Sequence, residues 1–539
     1  MATFCPPRVT CDLHSVTSDE TVDAQARGRN RKGLNVRESR TSSSRESTVS
    51  ATTHDVEESL QPIPEGERTT RLSGQFWIWA GANIAPINWV LGALGISMGL
   101  GLADTLLVLV LGNLVGMAVF GLFVLLGQRT GTTGMLLGRS VFGRRGNYLP
   151  SAIQALVVVG WCAVNTWIVL DLVMALFGEL GWVDPDASNI GWKIGVAFGI
   201  MAIQVGISMA GYRAISAFER WTVPPTVVVL VLMSVVAWFR FDIDWSYAGP
   251  DEVTLGGTER IVAMSGVMTA IGIGWGLTWL TYAADYSRFV STGVPRRKLY
   301  LASALGQFIP VVWLGVLGAT LATRNGSVDP GQLIVENYGT LAIPVLLLVL
   351  HGPIATNVLN VYSFSVAAQA LDIRVGRRKL NLVVGVLALA AAVFFVYQED
   401  AAKTLDAWLV GVVGWVATWG AIMLVHYYIL ERRTRRFDHL FDPVGSPRLP
   451  DVNARALIAF AVGVVCTWMF LQGTVPALQG FGSRALGGLD VSWLAGSAAA
   501  GLTYYLLARK SHRQWTSRRV IAGSPSLPED APAPVAPLA

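Results

Sequence analysis

The chain is poor in the residues on which soluble enzymes and nucleic-acid binders rely. Only 14% of its 539 residues are Asp, Glu, Lys or Arg, far less than a soluble protein of this size needs to cover its surface. Cysteine is nearly absent. Cys5, Cys11, Cys162 and Cys466 are the whole set, and no pair has metal-binding or redox spacing. The six histidines are scattered. No phosphate-binding loop, dinucleotide fingerprint or zinc motif occurs, so neither a bound cofactor nor a resident metal is expected. No His/Asp/Glu cluster or nucleophile–base pair falls within the apolar segments, which argues against an intramembrane enzyme. Residues 1–70 hold no apolar run and are rich in Ser, Thr, Arg and Glu. Such a composition cannot build a core and reads as a disordered tail, with no signal peptide. Residues 511–539, ending in SPSLPEDAPAPVAPLA, read the same way.

What is abundant is apolar: 52% of the chain is hydrophobic. Runs of about 20 apolar residues, long enough to cross a bilayer as helices, recur twelve times. They lie at 76–100, 104–127, 148–176, 191–210, 221–239, 262–283, 299–322, 340–370, 380–397, 404–429, 454–472 and 489–508. The expectation is an all-α integral membrane protein with a core over 71–430 and two further helices over 431–510.

The net charge of +5 could suggest nucleic acid, but its placement argues for a lipid bilayer. Basic residues crowd alternate loops: Arg129, Arg139, Arg144 and Arg145; Arg213 and Arg220; Arg288, Arg296, Arg297 and Lys298; Arg374, Arg377, Arg378 and Lys379; Arg432, Arg433, Arg435 and Arg436. The intervening loops are acidic, as at 179–186, Asp251-Glu252 and 398–400. This alternation fits the positive-inside rule, with both termini cytoplasmic and the chain in the plasma membrane.

Two of the spans are interrupted. The first, FWIWAGANIAPINWVLGALG (76–95), carries Asn83, Pro86 and Asn88 near its middle. The sixth, MTAIGIGWGLTWLTYAADY (268–286), carries Gly272, Gly274 and Gly276. Polar residues and helix breakers at bilayer depth are costly unless protein or a water-filled cavity surrounds them. Spans 1–5 and 6–10 form halves with an odd number of crossings each, so they would be inverted repeats, each led by an interrupted helix. That is the signature of leucine-transporter-like folds with a binding site at the midplane, spans 11 and 12 being peripheral.

Five stretches carry a resemblance. They are GQRTGTTGMLLGRSVFGRRGNYLP (127–150), ALVVVGWCAVNTWI (155–168), YAADYSRFV (282–290), ATNVLNVYSFSVAAQAL (355–371) and FDPVGSPRLPDVNARALIAF (441–460). Together they resemble the nucleobase–cation symporter family, in particular its purine–cytosine permease branch, over about residues 70–510. The resemblance implies import of a nucleobase such as cytosine or a purine, or a related heterocycle (hydantoin, allantoin, uracil), driven by a co-transported proton or sodium. A passive channel on the same fold is the more remote alternative.

Residue by residue, the resemblance places substrate at Trp161 and Asn165, four apart on one helix face. An indole stacks on a flat ring and an amide offers its edge both donor and acceptor. A second stacking indole is implied in the sixth span, where Trp275, beside Gly274, is preferred to Trp279. Packed bulk is the alternative for the indoles, and close helix packing for the glycines. Asn83 would line the break in the first span, where Pro86 frees a carbonyl near Ala82. Asn357 and Asn360 would read the substrate edge or else serve as polar glue between helices. For the cation, the resemblance implies carbonyls around Ala82 and Ala85, with Gly352 and Thr356 opposite. Sodium-coupled members use two hydroxyls where this chain has Ala355 and Thr356, which weakens an oxygen cage and favours protons. His351 is one turn away and could titrate, although a histidine satisfied at a helix interface is the better reading of that residue alone. Asp285 and Arg288 read as structural anchors.

Overall fold

The computed structural model describes residues 62–184, 188–210, 212–250, 256–373, 375–398, 401–431 and 437–523. Among these residues the chain is helical, and its only β pairings are isolated bridges. The first expected span is split into α1 (Leu72–Asn83) and α2 (Ile87–Ser97). Next in order are α3 (Leu102–Thr130), the short α4 (Gly134–Phe142), α5 (Tyr148–Glu179), α6 (Ile190–Ala210) and α7 (Tyr212–Arg240). The sixth span is one long helical segment, α8 (Gly257–Ser287). After it come α9 (Arg296–Asn325), α10 (Pro330–Tyr338), α11 (Ala342–Val349), α12 (His351–Ala370), α13 (Arg377–Val396), α14 (Ala401–Leu424), α15 (Ala454–Phe470) and α16 (Ser492–Gly523). Among the described residues, nine helical segments are long and apolar enough to cross a membrane. The second half of the first span, α2, and α15 are apolar but shorter.

The two interruptions differ in kind. In the first span Ile84, Ala85 and Pro86 lie between the helices. Proline has no N–H to continue the ladder, and its ring clashes with the carbonyl four residues earlier. In the sixth, the backbone does not unwind. Met268–Gly274 forms a π-helix, and a tight turn at Trp279 separates the next helical turns. The expectation of an open glycine break is therefore corrected at all three glycines, since Gly272 and Gly274 lie inside the π-helix and Gly276 in the helical turn after it. Gly272 and Gly276 are packing residues: a Cβ on Gly112 of α3 would lie 2.5 Å from the Gly272 Cα, and one on Gly276 would lie 2.7 Å from the Gly116 Cα. Two backbones touch there, as small residues permit in membrane bundles. Asn113, between those α3 glycines, donates its Nδ2 to the Ile271 carbonyl at 3.2 Å, and so satisfies part of the π segment.

The tail boundaries also move. Residues 1–61 and 524–539 lie outside the described residues, as do Asp251, Glu252, Arg374, Glu399, Asp400, Arg432, Arg433, Arg435 and Arg436 of the charge alternation. Residues 62–70, however, are packed. The Ile63 N–H donates to the Gly131 carbonyl at 2.8 Å, and Arg68 donates to the Gln128 carbonyl at 2.9 Å. Glu65 accepts from the Ser291 hydroxyl and the Thr292 N–H, each at 2.7 Å. At the other end α16 continues to Gly523, past the expected boundary at 510.

Beyond α12, Asp372 ties several links together. Its carboxylate accepts from Arg139 at 3.0 Å, Arg144 at 2.8 Å and the Tyr148 hydroxyl at 2.6 Å. Burial by itself would raise this carboxyl, but the Tyr148 hydroxyl and the two guanidinium groups outweigh it and hold it below the usual value.

This packing is open to test at two points. Gly276→Ala forces backbone apart and is expected to cost about 1–3 kcal/mol, read as a lowered melting temperature in detergent. Gly195→Ala, with nothing within 4 Å of the added Cβ, should leave it unchanged. Because its folded-state value is depressed, Asp372 contributes stability above the unfolded carboxylate value of about 4 and loses it as pH falls through the folded value. Asp372→Asn should flatten the acid limb of the melting curve below about pH 4.

Candidate substrate site

A small cavity of about 10 Å³, the room of roughly one water, lies among α5, α8 and α12, lined by Trp161, Asn165, Trp275, Thr278, Trp279, Tyr282, Thr356 and Asn360. All eight residues are buried. Trp161 and Asn165 project from one face of α5. Trp275, Thr278, Trp279 and Tyr282 keep the i, i+3, i+4, i+7 rhythm of one helix face, downstream of the π segment. Single π turns recur at functional sites because they shift the register of the downstream turns.

The indoles touch one another. Trp161 and Trp275 meet edge to face with ring centroids 5.4 Å apart and planes at 84°. Trp275 and Trp279 do so at 6.4 Å and 81°. Trp408 of α14 covers the other side of Trp161 at 5.9 Å. Gly160 makes room for it, since a Cβ there would lie 1.9 Å from the Trp408 ring. The buried polar atoms without partners include Asn165 Oδ1 and the Nε1 groups of Trp275 and Trp279. Buried polar groups are ordinarily paired, so these atoms have hydrogen-bonding capacity left to meet a ligand.

The break in the first span sits against α12. Without an N–H at Pro86, the Ala82 carbonyl is free, and the Thr356 hydroxyl lies 3.1 Å from it and 3.1 Å from the Gly352 carbonyl. Gly352 allows the approach: a Cβ there would lie 2.8 Å from the Ile84 carbonyl oxygen and 3.1 Å from the Ala85 Cα. Ala82, Ala85, Gly352 and Thr356 are thus brought together.

Other expected site residues lie elsewhere. Asn83 is fully buried but does not line the cavity; its Nδ2 donates to the Trp79 carbonyl at 2.9 Å, and its own carbonyl accepts from Asn88. Gly274 is inside the π-helix, where a Cβ would lie 2.4 Å from the Thr269 carbonyl oxygen. Asn357 bridges helices: its Nδ2 donates to the Cys162 carbonyl at 2.8 Å and to Gln204 Oε1 at 3.1 Å. The His351 Nδ1 lies 2.7 Å from the Thr226 hydroxyl of α7. Its ring is thus engaged at a helix interface, although in the chain it adjoins Gly352. Thr278, Tyr282 and Trp408 join the site without being among the residues expected there. The first two continue the face set by Trp275 and Trp279, a spacing that could have found them, whereas Trp408 comes from a different span.

Comparison with known proteins agrees with this geometry. Residues 62–496 match the family described as permeases for cytosine/purines, uracil, thiamine and allantoin. The chain belongs to this family, the nucleobase–cation symporters. It is 25% identical over 461 residues to the Bacillus subtilis protein YxlA, which carries the name of a purine-cytosine permease, across 84% of this chain and 95% of that protein. It is 24% identical to the purine-cytosine permease fcyB of Emericella nidulans, across 83% and 87%. Its fold is that of Mhp1, a nucleobase-cation-symport-1 family transporter solved in a closed conformation with bromovinylhydantoin bound, with a TM-score of 0.65 at 17% identity over 86% of this chain and 96% of that one. The chain is therefore a multi-pass membrane permease and not an enzyme.

The contact at the break gives a prediction independent of ligand. Thr356→Val leaves the Ala82 carbonyl unpaired and should cost about 1–3 kcal/mol, lowering the melting temperature in detergent, while Thr356→Ser should restore it.

Proposed function

We propose that this permease imports a nucleobase, cytosine or a purine, or a closely related heterocycle, from outside the cell across the plasma membrane. The observation that carries the reading is the cavity itself: buried indoles and amides with no charged side chain lining it, which suits a flat, uncharged, hydrogen-bonding ring. A fixed charge for an ammonium or carboxylate is absent from this lining. We further propose that twelve helices cross the bilayer with both termini cytoplasmic, α1–α7 and α8–α14 forming inverted repeats and α15 and α16 peripheral. The paired interruptions in the first and sixth spans support this. Rocking of the repeats about the cavity would give alternating access.

For the coupling ion we propose protons over sodium. Ala355 supplies no hydroxyl, which leaves Thr356 as the one hydroxyl of the two positions. A hard cation would find fewer free oxygens than it needs.

Uptake of labelled cytosine, adenine, uracil, hydantoin and allantoin into cells expressing the chain tests the substrate class, and absence of uptake for all five overturns it. Trp161→Ala is expected to weaken apparent affinity by about 1–3 kcal/mol, the scale of one base–aromatic stack; unchanged kinetics would remove the stacking role. A protonophore should abolish accumulation while replacement of sodium by choline should not. The reverse pattern would make sodium the coupling ion, and insensitivity to both would indicate a passive channel.

A further inference from the structure

The amides of the cavity are held in one orientation by backbone carbonyls. At Asn165, the amide atom 2.9 Å from the Trp161 carbonyl oxygen is Nδ2, because a carbonyl can only accept. Its Oδ1 is left buried and without a partner. At Asn357, the atom 2.8 Å from the Cys162 carbonyl oxygen is Nδ2 for the same reason. The Asn357 Oδ1 then faces Asn360 and accepts from its Nδ2 at 3.1 Å. Asn360, which lines the cavity, thus has its donor turned toward Asn357, and its Oδ1 is the atom left for a ligand.

Gln204 reinforces this order from outside the cavity. It stands on α6, fully buried, in a helix apolar enough to cross the membrane. Its Oε1 accepts from Asn357 Nδ2 at 3.1 Å and lies 3.1 Å from the Thr166 hydroxyl, which also reaches the Cys162 carbonyl at 2.7 Å, while its Nε2 has no partner. A half-satisfied amide at this depth is expensive. The use it has is the acceptor it presents to Asn357, which opposes an amide flip that would set donor against donor.

We propose that Gln204 and Asn357 are positioning residues that hold the Asn360 carbonyl toward the ligand. With Asn165 accepting from a ring N–H, the Asn360 carbonyl then meets the exocyclic group, and the site selects heterocycles that carry an amino group there over those that carry a carbonyl. The inference rests on the heterocycle site proposed above and deepens it.

Competition binding on the purified full-length protein tests it, with labelled cytosine displaced by unlabelled cytosine or uracil, and labelled adenine displaced by adenine or hypoxanthine. The amino member of each pair should bind at least about tenfold more tightly, the cost of opposing one buried carbonyl with another. Asn357→Leu should bring that ratio to about one, because Asn360 becomes free to turn its Nδ2 inward, whereas Gln204→Met, which keeps the side-chain volume, should lower it part-way, because the Cys162 carbonyl still holds the Asn357 Nδ2. Gln204→Glu retains an acceptor oxygen and should retain the preference. The ratio is independent of the amount of folded protein, so loss of packing alone does not move it; should Asn357→Leu fail to fold, Gln204→Met decides. An unchanged ratio in the Met and Leu variants overturns the positioning role. A wild-type preference for the oxo rings overturns the assigned polarity. Wild-type protein that binds none of the four bases overturns instead the reading of the cavity as a nucleobase site.

Discussion

A helix interrupted inside a bilayer leaves backbone groups that no water can satisfy, and the arrangement around Pro86 is organised by that requirement. The Ala82 carbonyl takes the Thr356 hydroxyl, and the Asn83 carbonyl takes the Asn88 amide. Both partners have to be close, so α12 presents a glycine, Gly352, to the break. Once α12 is docked there, Asn357 and Asn360 face α5 one turn further along. Asn357 bonds the Cys162 carbonyl, immediately beside Trp161 and Asn165. The polar lining of the cavity is thus a consequence of where the first span breaks and of what must approach to satisfy it.

The opposite wall is built by another route. In α8 the extra residue of the π-helix is accommodated without exposing backbone, because Gly272 and Gly276 let α3 lie directly against it and Asn113 reaches the Ile271 carbonyl. The glycines do not hinge the helix. They let the shifted register be packed, and the shifted register is what presents Trp275, Thr278, Trp279 and Tyr282 together. Two helices that interrupt themselves in different ways end up supplying complementary walls: satisfied backbone on one side, aromatic surface on the other.

Much of this is legible in the order of residues. A proline between two asparagines in an apolar run has few physical explanations other than a satisfied break, and Trp161 with Asn165 on one face of an apolar helix signals a polar-tipped aromatic surface. What stays hidden depends on partners distant in the chain. Whether Gly272 and Gly276 open a helix or pack one is decided by Gly112 and Gly116, which touch them respectively from more than a hundred residues away in sequence. Asn357 and Asn360 look equivalent at spacing three, yet only the second lines the cavity, because the Cys162 carbonyl claims the first. His351 is claimed in the same manner by Thr226. Residues 62–70 are as polar as a disordered tail, but they are ordered by hydrogen bonds with helix ends and loops, a role that composition does not distinguish from solvation.

The contact between Trp161 and Trp275 constrains how a ligand can be held. A flat ring sandwiched between two parallel indoles needs their planes separated by about 7 Å, twice the carbon–carbon contact distance. Here the two rings meet edge to face at 5.4 Å, with Trp408 closing the far side of Trp161. Occupancy by a stacked ring therefore requires the indoles to part, and α5, α8 and α14, which carry them, are the helices whose relative position or rotamers must change. Edge-to-face aromatic contacts contribute about 0.5–1.5 kcal/mol each, against roughly 1–3 kcal/mol for stacking one base on one ring. The exchange is favourable but small. For a carrier that is the useful regime: a site that gained much more on closing around its ligand would hold it, whereas one that trades aromatic contacts for aromatic contacts can release it on the other side at little cost.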